Sequence, residues 1–177
     1  RQSAEDCTHY RRHMKNPFNR FIPTIYVQVS PERLTLRNPR SGMVISEVPE
    51  IAISYGDKVQ IVGAGSEASS YRANPSVKVL NPFAHPRSLV SDFTVAEHLL
   101  KIFLRRMQHS SFFAISPKVI FHPMGEPVGG FTQVEFRAFR EMAFGAGAAQ
   151  VVIWSGHPLT DRELLSGQYP AGEEEEI

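Results

Sequence analysis

The sequence predicts an α/β fold with a mixed sheet, in which an N-terminal antiparallel meander is followed by a βαβ crossover. Two observations predict it. Between Ser116 and Trp154, two short apolar runs, Val119-Ile120-Phe121 and Val151-Val152-Ile153-Trp154, flank a segment with helical periodicity. Runs this short, stopped by Pro123 and Gly156, suit buried strands, and strand, helix and strand in that order close as a right-handed parallel unit. Upstream, three alternating segments follow one another at hairpin spacing: Ile25 to Val29, Leu34 to Arg37, and Val44-Ile45.

The crossover helix carries its own start signals. Thr132 and Glu135 have the spacing of a capping box, and Phe131 and Phe136 sit where a hydrophobic staple closes over the first turn. Val134, Ala138 and Met142, with Phe139, Ala143 and Ala146, follow the helical 3, 4 spacing as the expected buried stripe. Gly145 and Gly147 offer stop positions.

Residues 1–13 are polar and without apolar period, so they are expected to be a disordered leader or added sequence ahead of Met14. Around Phe18 and Phe21, Lys15 and Arg20 mix charge with large apolar groups. That mixture is expected either to touch a membrane surface weakly or to pack on the domain. After the meander, short strands are expected at Glu50 to Ser54 and Lys58 to Val62, a short helix at Glu67 to Arg72, and a loop from Pro75 to Pro86. A longer helix begins near Asp92 or Thr94, with Thr94 and Glu97 as a candidate box, and buries Val95, Leu99, Ile102, Phe103 and Met107. Thr160 and Glu163 cap a third, short helix over Leu164 and Leu165 that stops at Gly167. Glu173 to Glu176 read as a solvated acidic tail. One domain therefore occupies residues 14–168, with 169–177 as the tail.

Composition excludes several classes. With 19 Lys plus Arg against 18 Asp plus Glu, nothing global points to nucleic acid. One cysteine, Cys7, cannot build a disulfide framework, and no stretch reaches the roughly 18 apolar residues of a membrane span. A cytoplasmic protein is expected.

Chemistry-bearing motifs are few. Val62-Gly63-Ala64-Gly65-Ser66-Glu67-Ala68 has the outline of a dinucleotide-binding turn, but Pro75 ends the following helix early and no acid lies about 20 residues on. Gly125, Gly129 and Gly130 form a flexible loop before a helix N-terminus, where anions can bind, yet Glu126 would repel one. His122 and His157 end the two central strands, where open sheets place active groups, although structural or solvent-facing histidines account for them more simply. Ser155-Gly156-His157 lacks the nucleophile turn and an acid. No histidine has metal-ligand spacing, and no metal or cofactor is expected.

From these residues a resemblance emerges. Ser91-Asp92-Phe93-Thr94-Val95 through Leu99, Phe103 and Arg105-Arg106, then Pro117-Lys118-Val119-Ile120, Phe131-Thr132-Gln133-Val134-Glu135, Arg137-Ala138, Arg140-Glu141 and Ala146-Gly147-Ala148, resemble in order segments of the MreB-like bacterial actins. The resemblance implies a ribonuclease H-like half-domain of the actin, Hsp70 and sugar-kinase superfamily, first half only. It also implies where nucleotide would bind, and there the sequence departs. The family's Asp-Leu-Gly-Thr phosphate loop is replaced by Gln28-Val29-Ser30-Pro31, without carboxylate or glycine, and proline removes a backbone donor. The other phosphate loop and the adenosine site belong to the second half of an actin.

A non-catalytic protein is therefore expected. Gln28, Ser30 and Pro31 are vestigial phosphate-loop positions, and an interaction surface is expected at Val77, Val79, Leu80 and Phe83 with Gly129 and Gly130. By resemblance its partner is a full-length MreB, another cell-shape component or a second copy of itself, at the inner face of the membrane. The alternative is a small nucleotide- or phosphate-binding enzyme using the Gly63-Ala64-Gly65 or Gly129-Gly130 loop.

Overall fold

A computed structural model describes residues 22–84, 89–108, 115–125, 130–170 and 173–175. The leader 1–13, Phe18, Phe21, Glu126 and Gly129 lie outside the described residues.

Six strands form the main sheet, in the order β3-β2-β1-β7-β8-β9. Its meander is β1 (Thr24–Val29), β2 (Leu34–Arg37) and β3 (Val44–Glu47), paired antiparallel. The crossover is β7 (Lys118–Pro123), α2 (Gln133–Gly145) and β8 (Gln150–Ser155), with β7 parallel to both β1 and β8. The mixed sheet expected from sequence is present. A strand period of two assigns the faces: Ile25, Val27, Val29, Val119, Phe121, Val151 and Ile153 join the larger core, while Tyr26, Ile120, Val152 and Trp154 join the smaller. α1 (Phe93–Gln108) and α2 cover the first face, and α3 (Asp161–Ser166) brings Leu164 to the second.

The strands expected at Glu50 to Ser54 and Lys58 to Val62 do form, as β4 (Ile51–Tyr55) and β5 (Val59–Ala64), but in a separate sheet of order β5-β4-β6. Its third strand, β6 (Val77–Leu80), corrects the loop expected from Pro75 to Pro86. β4 supplies the pairing, with Ile51 opposite Leu80 and Ser54 opposite Val77. The short helix is a 3-10 helix over Gly65–Tyr71. Ile51, Ile53 and Ala64 share the larger core with Leu99, Phe103 and Met107, so α1 binds the two sheets together.

Helix ends follow the expected chemistry with one exception. Thr132 and Glu135 make both bonds of the capping box, and Phe131 meets Phe136 edge-on at 6.1 Å between ring centroids. Thr160 and Glu163 repeat the box on α3, which ends at Gly167 with φ +67°. On α1 the cap is Asp92, whose carboxylate accepts from the Val95 amide at 3.0 Å. Glu97 does not reach back to Thr94; its carboxyl lies against Gly145 of α2, where any Cβ would collide with it. The stripe of α2 also turns out differently: Phe136, Phe139, Met142 and Ala143 are buried, whereas Val134, in the first turn, is 78% exposed.

Glu173–Glu175, expected as a free tail, forms β9 and pairs antiparallel with β8, Trp154 opposite Glu174. The backbone donors of an edge strand are satisfied by whatever chain lies alongside, whatever its side chains.

Candidate functional site

Parallel strands β1, β7 and β8 end side by side, the place where an open α/β sheet presents its groups to a ligand. The β1–β2 turn stands at that edge. Its hydrogen bonds are all turned inward: the Ser30 amide donates to the Arg33 carbonyl at 2.9 Å, and the Glu32 and Arg33 amides donate to the Ser30 hydroxyl at 3.2 and 3.1 Å. Pro31 has no amide hydrogen. No backbone donor of the turn is left to face a phosphate. Gln28 does not point a carboxylate at a metal either; its side-chain amide donates to the Met124 sulfur at 3.5 Å.

Beside this turn is a cavity of about 230 Å³ lined by His122, Pro123, Met124, Gly125, Phe131, Ser155 and Gly156. None of these residues carries a fixed charge. His122 is 2% exposed, and its Nδ1 lies 2.5 Å from the Tyr26 hydroxyl. That hydroxyl accepts the Leu159 amide at 3.1 Å, and the acceptor within reach of its own proton among the described residues is His122 Nδ1, which assigns the neutral ring's proton to Nε2. Burial is the main cause holding His122 below its ordinary 6.5, with the His157 charge adding to it and a hydrogen bond to the Gly156 backbone opposing it. Burial likewise raises the Tyr26 hydroxyl above 10.0, against the Leu159 hydrogen bond and the Arg37 charge. His122 is thus a neutral, bonded core group. His157 is exposed at the ring, and its carbonyl accepts the Trp154 indole N–H at 2.9 Å. Ser155 and His157, neighbours in sequence, are not brought into a catalytic pair by any described hydrogen bond.

The glycine turn after β5 already holds an anion, and that anion is a side chain of the protein. The Glu47 carboxylate accepts the Ser66 amide at 2.8 Å, and Gly65, at φ +70°, leaves room for it, because a Cβ there would collide with the Glu47 oxygen. Arg106 completes the cluster, 3.5 Å from Glu47 and 3.8 Å from Glu67. At the other glycine loop, Gly130 is exposed with φ +74°, and the Thr132 amide just after it is taken by Glu135 at 2.8 Å. Among the described residues no group of three His, Cys, Asp or Glu is arranged to hold a metal, and no helix is long and apolar enough to cross a membrane.

The residues expected to make an interaction surface part company. Phe83 is fully buried in the larger core, and Leu80 packs against it, so Phe83 is removed from any surface. Val77 and Val79 on β6 remain half-buried. The more open apolar area lies elsewhere, in a groove of about 460 Å³ between the β4–β5 hairpin and the start of α1. Ile53 pairs with Ile61 and Tyr55 with Val59 across its floor, and Tyr55 and Val59 are 56% and 69% exposed. The alternation of Val59 and Ile61 was the available signal, but nothing in it says that both stay uncovered.

Comparisons with known proteins agree with this architecture. Residues 34–159 match the family model described as MreB/Mbl protein. The chain is 33% identical over 119 residues to the cell shape-determining protein MreB of Haemophilus influenzae, covering 64% of this chain and 32% of that protein. It is 32% identical over 117 residues to the protein of that name from Escherichia coli, covering 63% and 32%. The chain thus spans about a third of the length of the curated relatives it matches. Among solved structures, MreB5 of Spiroplasma citri bound to ADP is similar with a TM-score of 0.59 at 20% identity, covering 76% of this chain and 38% of that one. The MamK double helical filament gives 0.53 at 12% identity, covering 73% and 40%. These likenesses show the actin-like, ribonuclease H-like fold. With β2, β3 and the whole β7–α2–β8 crossover inside the matched stretch, the chain belongs to the MreB/Mbl family.

Proposed function

We propose that this chain is a non-catalytic member of its family, an interaction or scaffolding module of the bacterial cell-shape cytoskeleton. The β1–β2 turn carries the proposal. Phosphate is bound by backbone amides and hydroxyls left free to point at it, and here the Ser30, Glu32 and Arg33 amides are spent within the turn while Pro31 has none. Contacts with protein are then the remaining use of the fold, and the open face of Tyr55, Val59 and Ile61 supplies apolar area for them. Filaments of full-length relatives, or copies of this chain, are the partners proposed, in the cytoplasm at the inner face of the membrane. The filament formed by the neighbour MamK supports self-association as one form of this role.

Titration calorimetry with Mg-ATP tests the proposal. No binding heat is expected, and a dissociation constant in the low micromolar range overturns it. A rise in melting temperature with ATP or NAD plus magnesium would favour instead a nucleotide-binding enzyme working through its glycine loops. Co-sedimentation with filaments of a full-length relative tests the scaffolding role itself.

A further inference from the structure

The smaller face of the main sheet is fastened by a chain of buried hydrogen bonds that joins three separate elements. The Leu159 amide, just ahead of α3, donates to the Tyr26 hydroxyl of β1 at 3.1 Å, and that hydroxyl donates to His122 Nδ1 of β7 at 2.5 Å. With Nδ1 accepting, the ring proton of the neutral histidine sits on Nε2, and the ring borders the cavity lined also by Ser155 and Gly156. The Leu159 end of the passage from Gly156 is therefore held through one phenol to one imidazole. Beneath that passage and α3 lie Ile120, Val152 and Trp154, each at most 1% exposed.

The arrangement works only for a neutral ring. A second proton on Nδ1 turns the acceptor into a donor, and the Tyr26 oxygen then faces two donors while its own hydrogen has lost its acceptor. The influences on His122 are burial, the Gly156 backbone and His157, with no carboxylate among them. On β2, Arg37 lies 5.4 Å from the Tyr26 ring centroid and is itself a cation. On α3, Asp161 is committed to Arg37 at 3.2 Å, and Glu163 is committed to Thr160 as a helix cap. His157, in the loop after β8, acts on His122 through its charge and disfavours the imidazolium. A proton can arrive, because the His122 ring borders the 230 Å³ cavity at the strand ends.

We infer that Tyr26 and His122 form a proton-operated latch, which holds the segment from Gly156 to Gly167 on the β1–β7–β8 face and releases it when the imidazole becomes charged. Release uncovers the apolar side of the sheet around Trp154. Mild acid thus changes the surface that the chain shows to its surroundings. The latch is independent of whether nucleotide binds at the β1–β2 turn.

Trp154 is the chain's one tryptophan and reports directly on the covered face. Its emission is to be followed from neutral pH to pH 5 in a His157→Gln background, because the His157 ring stands edge-on to the indole at 6.1 Å and would contribute to the signal itself. In parallel, nitrogen NMR gives the His122 tautomer and hydrogen exchange gives protection of the Leu159 amide. Expected are an unprotonated Nδ1 at neutral pH, a red shift of emission developing below pH 6.5, and a Leu159 protection factor, taken against the intrinsic exchange rate at each pH, lower by about tenfold. Adding His122→Gln, whose amide oxygen can still accept from Tyr26 and which takes no proton, should flatten both responses. The latch is overturned by a proton on Nδ1 at neutral pH, by the same acid response in His122→Gln, or by His122 titrating while the Leu159 protection factor stays constant. Should His122→Gln fail to fold, the tautomer and the Leu159 titration of the His157→Gln chain decide alone.

Discussion

The Asn81 side-chain amide donates to the Pro31 carbonyl at 2.7 Å, joining the exit of β6 to the turn between β1 and β2. The Asn81 side-chain oxygen accepts from the Phe83 amide at 3.0 Å, so one residue holds its own loop and the turn together. Asn81→Ala removes both bonds. A loss of about 1 kcal/mol is expected, read as a lower denaturant midpoint. An unchanged midpoint would mean that water replaces both partners without cost.

The face of α2 is tested by two substitutions of opposite weight. Val134→Ser, at a side chain 78% exposed, should change stability by less than about 0.5 kcal/mol. Phe139→Ala, at a ring 1% exposed that stacks on Phe121 at 5.3 Å, should lose about 3 to 5 kcal/mol. Equal effects at the two sites would show that the helix is rotated from this phase.

Thr132→Ala deletes the hydroxyl that accepts from the Glu135 amide and donates to the Glu135 carboxylate, leaving that carboxylate only the backbone amide of residue 132. About 1 kcal/mol should be lost. Circular dichroism during denaturation would follow it, and a variant as stable as the parent would place the helix start elsewhere.

Acid should erase the matching cap on α3. Hydrogen bonds from the Thr160 hydroxyl and amide hold the Glu163 carboxyl below its ordinary 4.5. A depressed carboxyl stabilises the fold above its unfolded value, and that contribution disappears as pH falls through the lower folded value. The gap in stability between the parent and Thr160→Ala should therefore be full at neutral pH and shrink well below pH 4.5. Denaturation at the two conditions measures it, and a gap independent of pH would exclude the ionised cap.

Local signals carried most of the fold. The meander, the crossover and both capping boxes depend on residues near in sequence, and each could be found there. β6 could not, because Val77–Leu80 is a short run that carries Lys78 and is bracketed by Pro75 and Pro82; β4, whose Ile51 to Ser54 lie opposite Leu80 to Val77, supplies what makes it a strand. Val134 fits a helical spacing, yet a helix has several such spacings and packing chooses among them. At the site, the loss of acid and glycine from the turn at Gln28 to Pro31 was legible. The occupancy of the Ser66 amide by Glu47, and of His122 by Tyr26, joins residues 19 and 96 positions apart and was not.

Strand β9 has a consequence for how copies of this chain can meet. A sheet whose last strand stands bare can be extended by the same strand of a neighbour, and such growth has no built-in stop. Here the strand laid along β8 is drawn from a run of four consecutive glutamates, Glu173 to Glu176. With β9 in place the outer backbone groups of β8 from Ile153 to Ser155 are already paired within the chain, so a neighbour's strand cannot add directly to β8.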